Sequence, residues 1–154
     1  MRHAAALPAA ANAADFARPL SAPGRAAALQ AARRLAAARL TIDRVLFSPA
    51  RRTHETAAIV AQELALAASS LQAVPELYAA SPQALRAAIA RCHGQAVTLL
   101  VVGHNPGISE FGQQLGADAE HGGLATAAYW RVAFDAEPWL RLLRPAGSGA
   151  PARR

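Results

Sequence analysis

Between residues 22 and 40 the apolar positions Leu29, Ala32, Ala36 and Leu40 recur at helical spacing, with Arg33 at the edge of the stripe and Ser21 placed as N-cap. This predicts a first helix, Ala22 to Leu40. Asp43–Phe47 reads as a short buried strand that stops at Ser48-Pro49. A second helix is expected from about Ala50 to Leu66, with Ala57, Val60, Ala61 and Leu64 inward. Leu71–Val74 is a weaker strand and Pro75–Tyr78 a loop. Ser81-Pro82 opens a third helix that runs to His93, whose protonated ring would suit the helix C-terminus, and stops at Gly94. Val97–Val102 is the clearest strand. It is apolar except for Thr98, the pattern of a parallel strand buried on both faces. Asn105-Pro106 caps a fourth helix to about Leu115, and a polar loop spans Asp118–Gly123. Thr126–Phe134 and Trp139–Leu143 read as closing strands around an Asp135–Pro138 turn.

Strands alternating with helices imply a three-layer α/β/α sandwich on a mostly parallel sheet, with a single domain over residues 1–145 and a flexible tail over 146–154. Ligands of such sheets bind at the carboxyl ends of the strands. That rule places Ser48–Arg52 and His104 on one edge, and His3 with them if a strand precedes it.

Composition narrows the function. The net charge is +6 and every basic residue is arginine, but the arginines are scattered and aromatic residues make up only 5%, which argues against nucleic-acid binding. No run of 18 apolar residues suggests a membrane span. The single cysteine, Cys92, excludes an internal disulfide framework and fits the cytoplasm. No His, Cys, Asp or Glu cluster has metal-ligand spacing, so neither metal nor other cofactor is expected. Nothing suggests an obligate oligomer.

Three pieces carry candidate chemistry: Met1-Arg2-His3, Ser48-Pro49-Ala50-Arg51-Arg52-Thr53, and Gly103-His104-Asn105-Pro106-Gly107. Transfer of a phosphoryl group needs cationic donors around its oxygens and an in-line nucleophile. Arg2 and Arg52 can offer planar, permanently charged forks. A helix N-terminus after Pro49 adds backbone N–H groups. His104, if protonated, would be a third cation. His3 must be neutral at one ring nitrogen to attack phosphorus.

These pieces resemble the histidine phosphatase superfamily: Arg2-His3-Ala4, Ser48-Pro49-x-x-Arg52-x-x-x-Thr56, and Val102-Gly103-His104-Asn105-Pro106-Gly107. The small SixA-type phosphohistidine phosphatases look most similar. Arg18-Pro19-Leu20-Ser21-x-x-Gly24 and Leu124-Ala125-Thr126-Ala127-Ala128 extend the likeness over nearly the whole chain. The resemblance implies a phosphoglycerate mutase-like fold, His3 as nucleophile, and Arg2, Arg52, His104 and Ser48 around the phosphoryl group. Arg51 is the alternative to Arg52 if the register slips. Glu76 lies about where larger members place an acid. The implied activity is metal-independent hydrolysis through a phosphohistidine intermediate, with a histidine phosphotransfer domain as the favoured partner. The short loop at 75–81, with no inserted lid, suggests an open site and so a protein-borne phosphate. The alternatives are a phosphatase of small phosphomonoesters or a non-catalytic phosphate-binding protein.

Two departures stand out. Ala4 occupies the family's usual glycine position, which is tolerable at negative φ. The family's apolar strand before Arg-His is missing ahead of Met1, so the first strand is expected to be truncated, the true start to lie upstream, and Arg2 to have nothing that fixes it.

Overall fold

A computed structural model of the chain describes residues 1–9, 14–92, 95–117 and 123–133. Its centre is strand β1 (Arg44–Phe47), which pairs in parallel with β2 (Leu71–Ala73) and β3 (Leu99–Val102), giving the order β2-β1-β3. Successive side chains of a strand point to opposite faces. Val45, Phe47, Leu100 and Val102 therefore join one core, beneath helices α1 (Ala22–Ala37) and α2 (Arg51–Glu63). Leu46, with the half-buried Leu99 and Val101, joins the other, beneath α3 (Pro82–Cys92) and α4 (Gly107–Gln114). Two helical layers thus enclose a parallel sheet, the α/β/α sandwich expected of the alternating pattern. Among the described residues no helix is long and apolar enough to cross a membrane.

Several boundaries differ from the sequence reading. Helix α1 buries Gly24, Ala28, Ala31, Ala32 and Leu35 and leaves Ala36 exposed, so its inner stripe is rotated from the one expected. With alanine at most positions the sequence offers little contrast between faces, and docking on α2 decides. Part of the docking is the contact of Gly24 with the Ala5 carbonyl, where a β-carbon would overlap the oxygen. Gly24→Ala is therefore expected to destabilise the fold by about 1–3 kcal/mol in chemical denaturation. A loss below about 0.5 kcal/mol would show that the 4–7 segment simply yields. Helices α1 and α2 end three residues early, at Ala37 and Glu63, because Arg39 (φ 51°) and Ala65 (φ 51°) turn left-handed just beyond them.

Strand β3 starts at Leu99 rather than Val97. The amides of Val97 and Thr98 donate to the Asp43 carboxylate, at 2.8 and 2.7 Å, rather than to a strand partner. In the described part of the expected strand Thr126–Phe134 no strand forms. The segment bonds instead to the first residues, where Ala127 N–H donates to His3 O (3.3 Å) and Arg2 N–H donates to Ala128 O (3.0 Å). His93, most of the Asp118–Gly123 loop, His121, Phe134, the Trp139–Leu143 strand and the tail lie outside the described residues.

The first residues run along the end of β3. Arg2 lies opposite Gly103 in a parallel bridge, Gly103 N–H donates to Met1 O (3.1 Å), and His3 N–H donates to Gly103 O (3.1 Å). The Met1 amine is buried and donates to Val101 O at 2.8 Å. Arg2 is thus held on both sides, contrary to the expectation that nothing would fix it: the free edge of β3 and the Ala127-Ala128 backbone supply its partners.

Candidate active site

The parallel sheet brings chain segments far apart in sequence to one edge. Beyond β1 lies Ser48, fully buried; one turn on, at the start of α2, is Arg52; beyond β3 is His104; beside Gly103 is His3. The two histidine rings stand 5.1 Å apart between centroids. Thr56 ties the pieces together: its hydroxyl donates to Arg52 O (2.7 Å) and accepts from Ala4 N–H (3.1 Å). Ala4 is fully buried and is not among the residues with positive φ, so its β-carbon is tolerated.

Hydrogen-bond chemistry settles both tautomers. His3 Nδ1 lies 2.8 Å from Ala4 O, which can only accept, so Nδ1 carries the proton and Nε2 keeps its lone pair. The Arg52 guanidinium can only donate, and its Nη2 lies 3.3 Å from His104 Nδ1. His104 therefore accepts at Nδ1 and donates from Nε2 to Ser48 Oγ, at 2.9 Å. Both rings are pushed down to a pKa of about 4. For His3 the main cause is burial, reinforced by Arg52, Arg2 and Arg18 against the bond to Ala4; for His104 it is burial, then Arg52 and His3. Burial first, and then the facing Arg52 guanidinium, thus work against the protonated form in which His104 would be a third cation.

Arg52 is buried and Arg51 is exposed on Glu55, so the register does not slip. Arg2 Nη1 donates to Leu124 O at 3.0 Å, and Asn105 Nδ2 donates to the same carbonyl at 2.9 Å, joining the first and third pieces. Among the described residues Arg2 Nε is buried without a hydrogen-bond partner, which leaves it a donor for an incoming oxygen.

Glu76 is not brought to this cluster. Its carboxylate, half exposed, pairs with Arg91 at 2.7 Å in the last turn of α3. The 3₁₀ turn Pro75–Leu77 buries Leu77, and Glu76 lies on its exposed side. The acid beside the cluster is Asp15, which the sequence reading missed. Asp15 O and Oδ2 accept from Arg52 (2.7 and 2.9 Å), Oδ1 accepts from Arg18 (2.8 Å), and Tyr78 Oη donates to Oδ2 (3.0 Å). Arg18, then Tyr78, then Arg52 hold its pKa down to about 2. Tyr78 in turn stands edge-on to His104 at 5.4 Å. The one signal in the sequence was Asp15 three residues before Arg18, at the head of a stretch already noted for its likeness.

The depressed histidines make stability depend on pH. A base whose folded pKa lies below its unfolded value leaves the folded state with fewer bound protons between the two, so acid favours unfolding. The contribution is complete above about pH 6.5 and is lost as pH falls toward about 4. We expect the melting temperature to fall steeply between pH 6.5 and 4, by an amount equivalent to a few kcal/mol. His104→Gln should flatten the profile; an unchanged profile would mean that the ring is not held neutral.

The sequence profile of the histidine phosphatase superfamily (branch 1) matches residues 1–98. The fold matches the protein histidine phosphatase SixA complexed with tungstate, with 26% identity, TM-score 0.68, and coverage of 82% of this chain and 79% of that one. A candidate SixA phosphohistidine phosphatase from Nakamurella multipartitia is 34% identical over 79% of this chain and 71% of its own, with TM-score 0.65. A third, from Agrobacterium tumefaciens and described in the same terms, is 27% identical over 75% and 73%, with TM-score 0.68. No curated protein sequence matches significantly. The chain belongs to the histidine phosphatase superfamily, branch 1. Within it the likeness is to the SixA type, and the activity is that of a phosphatase.

Proposed function

We propose that this phosphatase is a cytoplasmic, metal-independent phosphohistidine phosphatase that works through a phosphorylated His3. One observation carries the reading: the Ala4 carbonyl accepts a hydrogen bond from His3 Nδ1–H, so the Nε2 lone pair is available in a pocket shared with His104 and Arg52. His3 Nε2 attacks phosphorus, the P–N bond to the substrate ring breaks, and that ring, already protonated at its other nitrogen, leaves as neutral imidazole. His3 becomes a phosphoimidazolium with Nδ1–H still bonded to Ala4. Water then attacks phosphorus, dihydrogen phosphate departs, and His3 returns to the neutral ring. Arg2 and Arg52 hold the equatorial oxygens. An oxygen that displaces Arg52 from His104 Nδ1 frees that nitrogen to take a proton and donate in turn. Ser48 keeps the His104 ring oriented.

The acid inventory supports a P–N substrate. Asp15 is held ionised and Glu76 is engaged with Arg91, so neither is ready to protonate a leaving group. Imidazole, with a conjugate-acid pKa of about 6.5, needs such help far less than an alkoxide does. The test compares, with chelator present, a phosphorylated histidine phosphotransfer domain with an alkyl phosphate. We expect kcat/KM at least about 100-fold higher for the phosphodomain, and Glu76→Gln within about twofold of wild type on it. Equal or faster hydrolysis of the alkyl phosphate would point to a phosphomonoesterase, and no turnover of either substrate to a phosphate-binding protein.

A further inference from the structure

We propose that Phe16, in edge-on contact with Tyr78, is the anchor on which the protein carrying the phosphohistidine docks; this rests on the substrate reading above. The described residues expose four large hydrophobic side chains: Leu7 (46%), Phe16 (42%), Tyr78 (37%) and Val97 (82%). Two of the four, Phe16 and Tyr78, lead to the phosphate site through ring contacts. Phe16 meets Tyr78 edge-on at 5.2 Å, and Tyr78 meets His104 at 5.4 Å. The Leu7 backbone is linked to the Asp15–Ala17 turn through Arg18, whose Nε donates to Leu7 O at 2.7 Å while its Nη1 holds Asp15. The apolar rim is therefore continuous with the pocket.

The rim is also held in place. Asp15, next to Phe16, is fixed by Arg52 through both its backbone oxygen and its carboxylate, and by Arg18 and Tyr78 through the carboxylate. An aromatic side chain presented on so constrained a backbone loses little entropy when a partner covers it, the property of an interface hot spot. Phe16 stands two ring contacts away from His104. A ligand that touches both must extend well beyond a phosphorylated side chain, so the occupant is the apolar surface around the phosphohistidine, not a small phosphate ester.

The experiment measures steady-state kinetics of wild type, Phe16→Ala, Phe16→Trp and Leu7→Ser on a phosphorylated phosphotransfer domain and on phosphoramidate. For Phe16→Ala we expect KM for the domain to rise about tenfold with kcat kept, and phosphoramidate turnover to stay within twofold. Phe16→Trp should retain wild-type KM, and Leu7→Ser should show a smaller rise. A parallel loss on both substrates, or none on the domain, would overturn the docking role while leaving the substrate reading intact. Wild type that turns over phosphoramidate but not the domain would sink both.

Discussion

His3→Ala should lose phosphatase activity by about 10⁴-fold or more, with the fold retained. The expectation comes from geometry. The Nε2 lone pair of His3 stands free because Nδ1–H is committed to Ala4 O at 2.8 Å, and burial keeps the ring neutral, with a pKa of about 4. Wild type given labelled phosphoramidate and quenched in alkali should carry an acid-labile, alkali-stable phosphate on a peptide containing His3, and the variant should carry none. Added imidazole should restore part of the variant's turnover, since a small nucleophile can enter the space left by the ring. A label on His104 instead, or full activity in the variant, would reject His3 as the nucleophile.

Arg52→Lys should lower kcat by about 10²- to 10³-fold. A lysine ammonium keeps the charge but cannot span the positions that Arg52 reaches at once: Asp15 O, Asp15 Oδ2 and His104 Nδ1. The loss should fall on kcat as well as on phosphate binding, because in the proposed mechanism the fork cradles the phosphoryl oxygens, and it adds to burial in lowering the pKa of His104. Arg51→Lys is the matched control. Its side chain is 56% exposed and pairs with Glu55 one turn along α2, so activity should stay within about twofold. A larger effect at Arg51 than at Arg52 would shift the site register by one residue.

Much of this architecture was legible from the order of apolar runs. β1 and the core of β3 are strands because Val, Leu and Phe crowd into short stretches bounded by Ser-Pro and Gly-His, whereas β2, Leu71-Gln72-Ala73, carries a weaker apolar signal. The same reading placed Ser48, Arg52 and His104 at one edge, since the chain ends of parallel strands must meet. It failed where long-range partners decide. The inner stripe of α1 is set by Gly24 against Ala5 and by α2, not by a pattern that alanine flattens. Val97 and Thr98 lie outside β3 because of a carboxylate 54 and 55 residues earlier in the chain. Asp15 and Tyr78 reach the site across 37 and 63 residues of sequence, through Arg52 and through each other, a juxtaposition that no local spacing announces. His104 shows the same limit in electrostatics: its sequence position suggests a phosphate-binding residue, whereas its charge depends on how deeply the ring is buried and on which guanidinium is close.

The pairing of Arg2 with Gly103, Leu124 and Ala128 also sets an order in time. Arg2 finds these partners among residues made more than a hundred positions later, whereas Ala4, Ala5 and Ala6 also pair with Thr56, Ser21 and Leu20. During synthesis β1, β2 and the α1–α2 layer can assemble on Ala4–Ala6 while Arg2 still waits for Gly103, Leu124 and Ala128. The pocket closes last, after Leu124 has left the ribosome, and contacts of such sequence separation form slowly. A nascent or partly folded chain should therefore be inert toward phosphate, and catalytic competence should appear in step with the final docking of the first residues rather than with helix formation.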